Sequence, residues 1–78
     1  MDWQDRIEVN PKILVGKPVI KGTRLAVEFI LELLAERWTH AQILKSYPQL
    51  TDEDIWAVLQ YAAETIKQEK VYALANQP

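Results

Sequence analysis

Apolar and polar positions change rhythm once along the chain, near residue 26. Ahead of that point the rhythm is short. Arg6, Ile7, Glu8 and Val9 alternate polar and apolar and stop at Asn10-Pro11, which predicts a brief strand closed by a turn. Ile13 to Val15 reads as a second extended piece, Gly16-Lys17-Pro18 as a turn, Val19-Ile20 as β-branched strand, Lys21-Gly22 as another turn, and Thr23 to Leu25 as extended again. Residues 5–25 therefore predict a β-hairpin-like arm. Strands this short do not stand alone; they lie on helices or pair with another chain.

Beyond residue 26 the period becomes helical. Val27, Ile30, Leu31, Leu34, Ala35 and Trp38 share one face, with Glu28, Glu32 and Glu36 on another, and predict a first helix. Thr39 followed by Gln42 has the spacing of a capping box, with Trp38 and Ile43 as the hydrophobic staple, and starts a brief second helix that points Ile43, Leu44 and Tyr47 inward and ends at Pro48. Thr51 with Asp54 repeats the box, and Leu50 with Ile55 the staple. The third helix places Ile55, Val58, Leu59, Ala62, Ala63 and Ile66 on its inward stripe, and helix-forming residues continue past Gln68. The predicted fold is α+β, mainly α: a β arm over 5–25, a three-helix bundle of helix-turn-helix type over 26–68, and a helical or frayed tail over 69–78, all in one domain.

Composition narrows the classes. With 49% hydrophobic residues and a net charge of −2, the chain is a globular domain and not a disordered tail. At 78 residues without cysteine, neither disulfides nor thiolate metal sites support the small core, and self-association is the remaining support. A homodimer is expected. No apolar run approaches the roughly 20 residues that cross a bilayer, and the opening MDWQDR lacks the pattern of a secretion signal, so no membrane partner and a cytoplasmic location are expected.

Charge is divided unequally. From Arg6 to Arg24 five basic residues stand against Glu8 alone, whereas from Leu25 onward four basic residues face eight acids. The arm is thus the segment that would attract an anionic partner. Gly16-Lys17 is followed by Pro18, which lacks a backbone donor, so VGKPVIKGTRL is not a nucleotide-cradling loop. Gly22-Thr23-Arg24 lies just ahead of a helix and can hold a lone anion; the preferred alternative is that Gly16 and Gly22 supply positive φ at turns while Arg24 caps a carboxylate. Lys17, Lys21, Thr23 and Arg24 are the candidate contacts for DNA or another anion.

Chemistry of other kinds finds little support. Asp52, Glu53 and Asp54 sit where acids complement the positive end of a helix, and they would repel phosphates from a recognition helix. His40 is the only histidine and Ser46 the only serine, so a nucleophile-base pair or a multi-histidine metal site is not to be assembled within one chain. No enzymatic activity, cofactor or metal is expected. Trp56 and Tyr61 lie off the inward stripe and, with Tyr72, are candidates for a dimer or partner surface; burial under the N-terminal strands is the alternative.

Three blocks, GKPVIKGTRLAVEFILELLAE, QILKSYPQLT and DEDIWAVLQYAAE, in this order and spacing, make residues 6–63 resemble the bacterial and archaeal family called domain of unknown function 433. The family pattern falls on Gly16, Pro18, Gly22, Thr23, Arg24, Tyr47, Pro48, Leu50 and Ala57. The resemblance implies an N-terminal β segment, a helix-turn-helix-like bundle of three helices, and a dimer. It also implies an antitoxin-type role beside a nuclease-like partner of the PIN type, and together with the charge division it makes DNA, met by the basic arm, a further candidate partner. The alternative is a protein-interaction or dimerisation module without nucleic-acid binding. Arg37 departs from the pattern, which has glycine there, so the turn between the first two helices is expected to differ.

Overall fold

The computed structural model describes residues 2–68; the predicted tail over 69–78, with Tyr72, lies outside them. A 3-10 turn at Trp3–Asp5, capped by the Asp2 carboxylate, leads into strand β1 (Ile7–Val9). β1 pairs antiparallel with β2 (Pro18–Ile20) in the register Ile7 to Ile20, Glu8 to Val19 and Val9 to Pro18. Helices α1 (Val27–Ala35), α2 (His40–Ser46) and α3 (Asp52–Gln68) follow. The hairpin followed by three helices gives the mainly helical α+β fold that the two periods predict.

The connection between the strands departs from expectation. Ile13 to Val15 is not extended: Leu14–Gly16 is a 3-10 turn in which Leu14, Val15 and Gly16 all take positive φ. Asn10 starts this reversal by accepting the Lys12 N–H on its side chain and the Ile13 N–H on its carbonyl. Val15 is 94% exposed, so no packing rewards its strand preference, and the demand for reversal wins. The next turn follows the sequence. Thr23 N–H bonds to Ile20 O around Gly22 at φ 79°, the positive third position that a type II turn requires.

The core gathers Ile7 and Ile20 from the hairpin, Val27, Ile30 and Leu33 from α1, Ile43 from α2, Leu50 from the loop, and Ile55, Ala57 and Val58 from α3. Two of the inward stripes are therefore corrected. Ala35 is exposed and Leu33 is buried in α1; in α3, Leu59, Ala63 and Ile66 are exposed while Ala57 is buried. The cause is the N-terminal 3-10 turn, which packs on α3: the Trp3 ring meets Tyr61 edge-on at 4.8 Å, and the Trp3 indole N–H donates to the Glu64 carboxylate. Covering that side turns the buried face of α3 away from the one that periodicity alone selects.

α1 ends sooner than its apolar period suggests. Trp38 N–H bonds to Leu33 O and Arg37 N–H to Leu34 O, with Arg37 at φ 73°, the pattern of a Schellman cap. The turn expected to differ thus keeps a left-handed residue, and arginine bears the strain that glycine would not.

α2 and α3 start as predicted. Thr39 and Gln42 form a complete capping box. At α3, the Asp54 N–H donates to Thr51 Oγ1 and the Thr51 N–H donates to Asp54 Oδ2, at 3.2 and 2.9 Å. Asp54 has a second duty, because its other oxygen accepts from Arg6 Nη1 at 3.0 Å beneath the hairpin. Between the two helices, Tyr47 packs edge-on against Phe29 of α1 at 5.6 Å. No described helix is long and apolar enough to cross a membrane.

Candidate functional site

The basic arm divides once its partners are known. Lys17 Nζ lies 2.5 Å from Glu28 Oε1, so a cation singled out for an anionic ligand already has a carboxylate from the first turn of α1. Hydrogen bonding to Glu28, followed by the charge of Glu28, raises the Lys17 pKa above its ordinary 10.5; desolvation opposes this, and Glu32 adds the weakest contribution. Thr23 holds the turn together: its hydroxyl donates to Ile20 O at 2.7 Å and accepts the Leu25 N–H at 3.0 Å. Arg6, from the same arm, is engaged by Asp54 and Thr51.

Lys21 and Arg24 are different. Both are exposed, they flank the Gly22 turn, and among the described residues neither enters a salt bridge. Of the four proposed anion contacts, the geometry leaves these two with uncommitted charge.

The second candidate surface lies on α3. Trp56 and Ile66 are each 55% exposed, Leu59 is 37% exposed and Ala63 is open to solvent. Successive residues on a helix turn by about 100°, so positions 56, 59, 63 and 66 form one narrow seam, on the side opposite Tyr61. Tyr61 is half-buried against Trp3, which belongs to the 3-10 turn and not to either strand, whereas Trp56 stands on the free face. Next to the seam an open apolar groove of about 340 Å³ runs between α1 and α3, lined by Pro18, Val27, Leu31, Tyr61, Ala62 and Ile66 among others. Ile66 belongs to both groove and seam. Tyr72 lies outside the described residues.

Sequence reasoning missed the seam as a unit. The signal was present: α3 carries more apolar positions than one stripe holds, and the surplus recurs at alternating spacings of three and four. A further depression of about 430 Å³, lined by Glu36, Arg37, Trp38, Gln42, Lys45 and Ser46, is polar and open. His40 Nδ1 lies 3.1 Å from Asp52 Oδ1 at the surface. Among the described residues, no group of three or more His, Cys, Asp or Glu is placed to hold a metal ion.

Comparison with known proteins places these features in a family. The model described as "Protein of unknown function (DUF433)" matches residues 7–62, which spans both strands and most of α3. The crystal structure of a DUF433 member protein from Anabaena variabilis superposes with a TM-score of 0.77 at 28% identity, over 83% of this chain and 64% of that one. The chain thus spans less than two thirds of its structural neighbour. No curated protein matches it.

Proposed function

The chain belongs to the DUF433 family, and from that premise we propose that it is a non-enzymatic, cytoplasmic regulator of the antitoxin type, a homodimer that acts by docking onto a nuclease-like protein. One observation supports this reading above the others: an open apolar groove of about 340 Å³ lies between α1 and α3, lined by Pro18, Val27, Leu31, Tyr61, Ala62 and Ile66 among others. A contiguous exposed apolar surface on a small domain marks a place where another protein sits. The groove, with the Lys17–Glu28 pair at its rim, is the partner's seat, since an apolar centre with a charged rim is the usual anatomy of an interface.

Co-expression with the product of the neighbouring gene tests this. A nuclease-like neighbour whose toxicity is relieved, and which co-purifies with the wild-type chain but not with Leu31→Glu, is the expected result. Failure of both rescue and co-purification refutes the reading.

DNA binding is the second part of the proposal, and Lys21 and Arg24 favour it as exposed cations on one turn. Against it stand the commitments of Arg6 and Lys17 and the acids in the first turn of α3. A salt-dependent gel shift on DNA upstream of the gene separates the two. Binding that persists in Lys21→Ala/Arg24→Ala excludes this surface, and absence of binding at low salt leaves a pure protein-interaction module.

A further inference from the structure

We infer that the exposed seam of α3 is the seat of a second copy of this chain, with the two α3 helices packed antiparallel about a two-fold axis near the middle of the helix. This deepens the self-association proposed above, and it rests on the order of residues along α3.

Trp56, Leu59, Ala63 and Ile66 are spaced three, four and three residues apart, the a-d-a-d sequence of a two-helix seam. All four face solvent, because the opposite side of α3 is occupied by the chain's own core and by Trp3. The spacing reads the same in both directions. When one helix is reversed onto the other, Trp56 meets Ile66 of the second copy and Leu59 meets Ala63. Each layer then combines a larger with a smaller side chain, which lets the helices approach closely.

Charge selects the direction. Glu53, Gln60 and Lys67 line the solvent-facing flank of the seam, all three exposed or half-buried. In the antiparallel arrangement Glu53 lies beside Lys67 of the second copy, Lys67 beside its Glu53, and Gln60 beside its Gln60. A parallel arrangement brings the acidic first turns of the two helices together, Asp52 and Glu53 against their own copies, where like charges repel. The antiparallel choice also opposes the two helix dipoles favourably. The seam is therefore self-complementary in shape and in charge, as an isologous interface must be.

Sedimentation velocity on the full chain at tens of micromolar tests the inference. The wild type is expected to sediment as a dimer, and Ala63→Glu as a monomer with an unchanged far-UV circular dichroism spectrum, since the substituted position is exposed. Orientation is read from charge reversal at two exposed sites, which does not disturb the core. Glu53→Lys or Lys67→Glu alone is expected to weaken the dimer by about tenfold, because two symmetric attractions become repulsions. The double variant restores wild-type affinity, and does so only if the two residues face each other across the axis.

A monomeric wild type, a dimeric Ala63→Glu, or a double variant no tighter than the single ones would each overturn the proposal. A monomer that still binds its nuclease-like partner removes this inference and leaves the docking reading standing. A dimer that binds no such partner does the reverse.

Discussion

α2 and α3 begin with the same local device and are tied to the rest of the molecule very differently. Thr39 and Gln42 close their box at the surface, with both side chains exposed, and among the described residues none distant in sequence joins it. Thr51 and Asp54 close theirs beneath the hairpin, where Asp54 is 7% exposed and its second oxygen is held by Arg6. The first box ends fraying of one helix. The second also ties Arg6, the residue that leads into β1, to the start of α3, because an acid at the third helical position, unlike the Gln42 amide, has charge to attract a guanidinium. A capping motif is thus a local instruction whose tertiary weight depends on what reaches it from elsewhere.

The sharpest way to break this contrast is Asp54→Ala. It removes the box at α3, leaves the Thr51 N–H without its acceptor, and strands Arg6 beneath the hairpin. The loss is expected to be about 2–3 kcal/mol, from a lost cap plus a charge-assisted bond at a largely buried site. A domain of this size is stable by about 6 kcal/mol on the usual per-residue scale, so urea denaturation will record the midpoint falling by a third or more. Thr39→Ala, the counterpart at α2, is expected to cost about 1 kcal/mol. Equal losses at the two sites would show that the Arg6 contact contributes nothing and would dissolve the distinction.

A smaller effect of opposite sign is expected immediately ahead of the first box. Arg37 adopts a left-handed backbone conformation in the Schellman cap of α1, and its side chain joins no salt bridge among the described residues. Arg37→Gly relieves that strain, partly offset by the greater freedom glycine has when unfolded, for a net gain of about 0.5–1 kcal/mol. Thermal unfolding should show a rise of a few degrees. A fall would mean that the arginine side chain stabilises the turn by a contact of its own.

The contrast between local and distant determinants also explains what was legible in the sequence. Both capping boxes and the three helices could be read because each rests on residues three or four apart. The Gly22 turn was legible for the same reason. The buried face of α3 was not, since it is decided by Trp3 of the N-terminal 3-10 turn closing over Tyr61, at the far end of the chain. Nor was the Arg6–Asp54 tie, whose partners are separated by 48 positions. For the candidate surfaces, Trp56 stands out as an apolar residue off the stripe, yet the helical period places Leu59, Ala63 and Ile66 in the core, because periodicity cannot say which of two adjacent stripes is covered. Lys17 looked available for an anion only until α1 brought Glu28 beside it.

The least effect concerns that last pair, the exposed counterpart of the Arg6–Asp54 tie. Glu28 beside it raises the Lys17 pKa in the folded chain. A lysine whose folded pKa lies above its unfolded value near 10.5 contributes stability that is fully present below the unfolded pKa and is lost as pH rises through the folded one. From neutral pH up to about 10 the pair is therefore constant, and its loss is confined to more alkaline solution. Both side chains are more than half exposed, at 58% and 57%, so salt screens the attraction and the contribution is small. Lys17→Met is accordingly expected to leave the urea midpoint at pH 7 almost unchanged while flattening the alkaline limb of the stability profile relative to wild type. A large loss at neutral pH would instead make the surface pair as consequential as the one under the hairpin, and the difference between the two ion pairs would have to be sought in something other than burial.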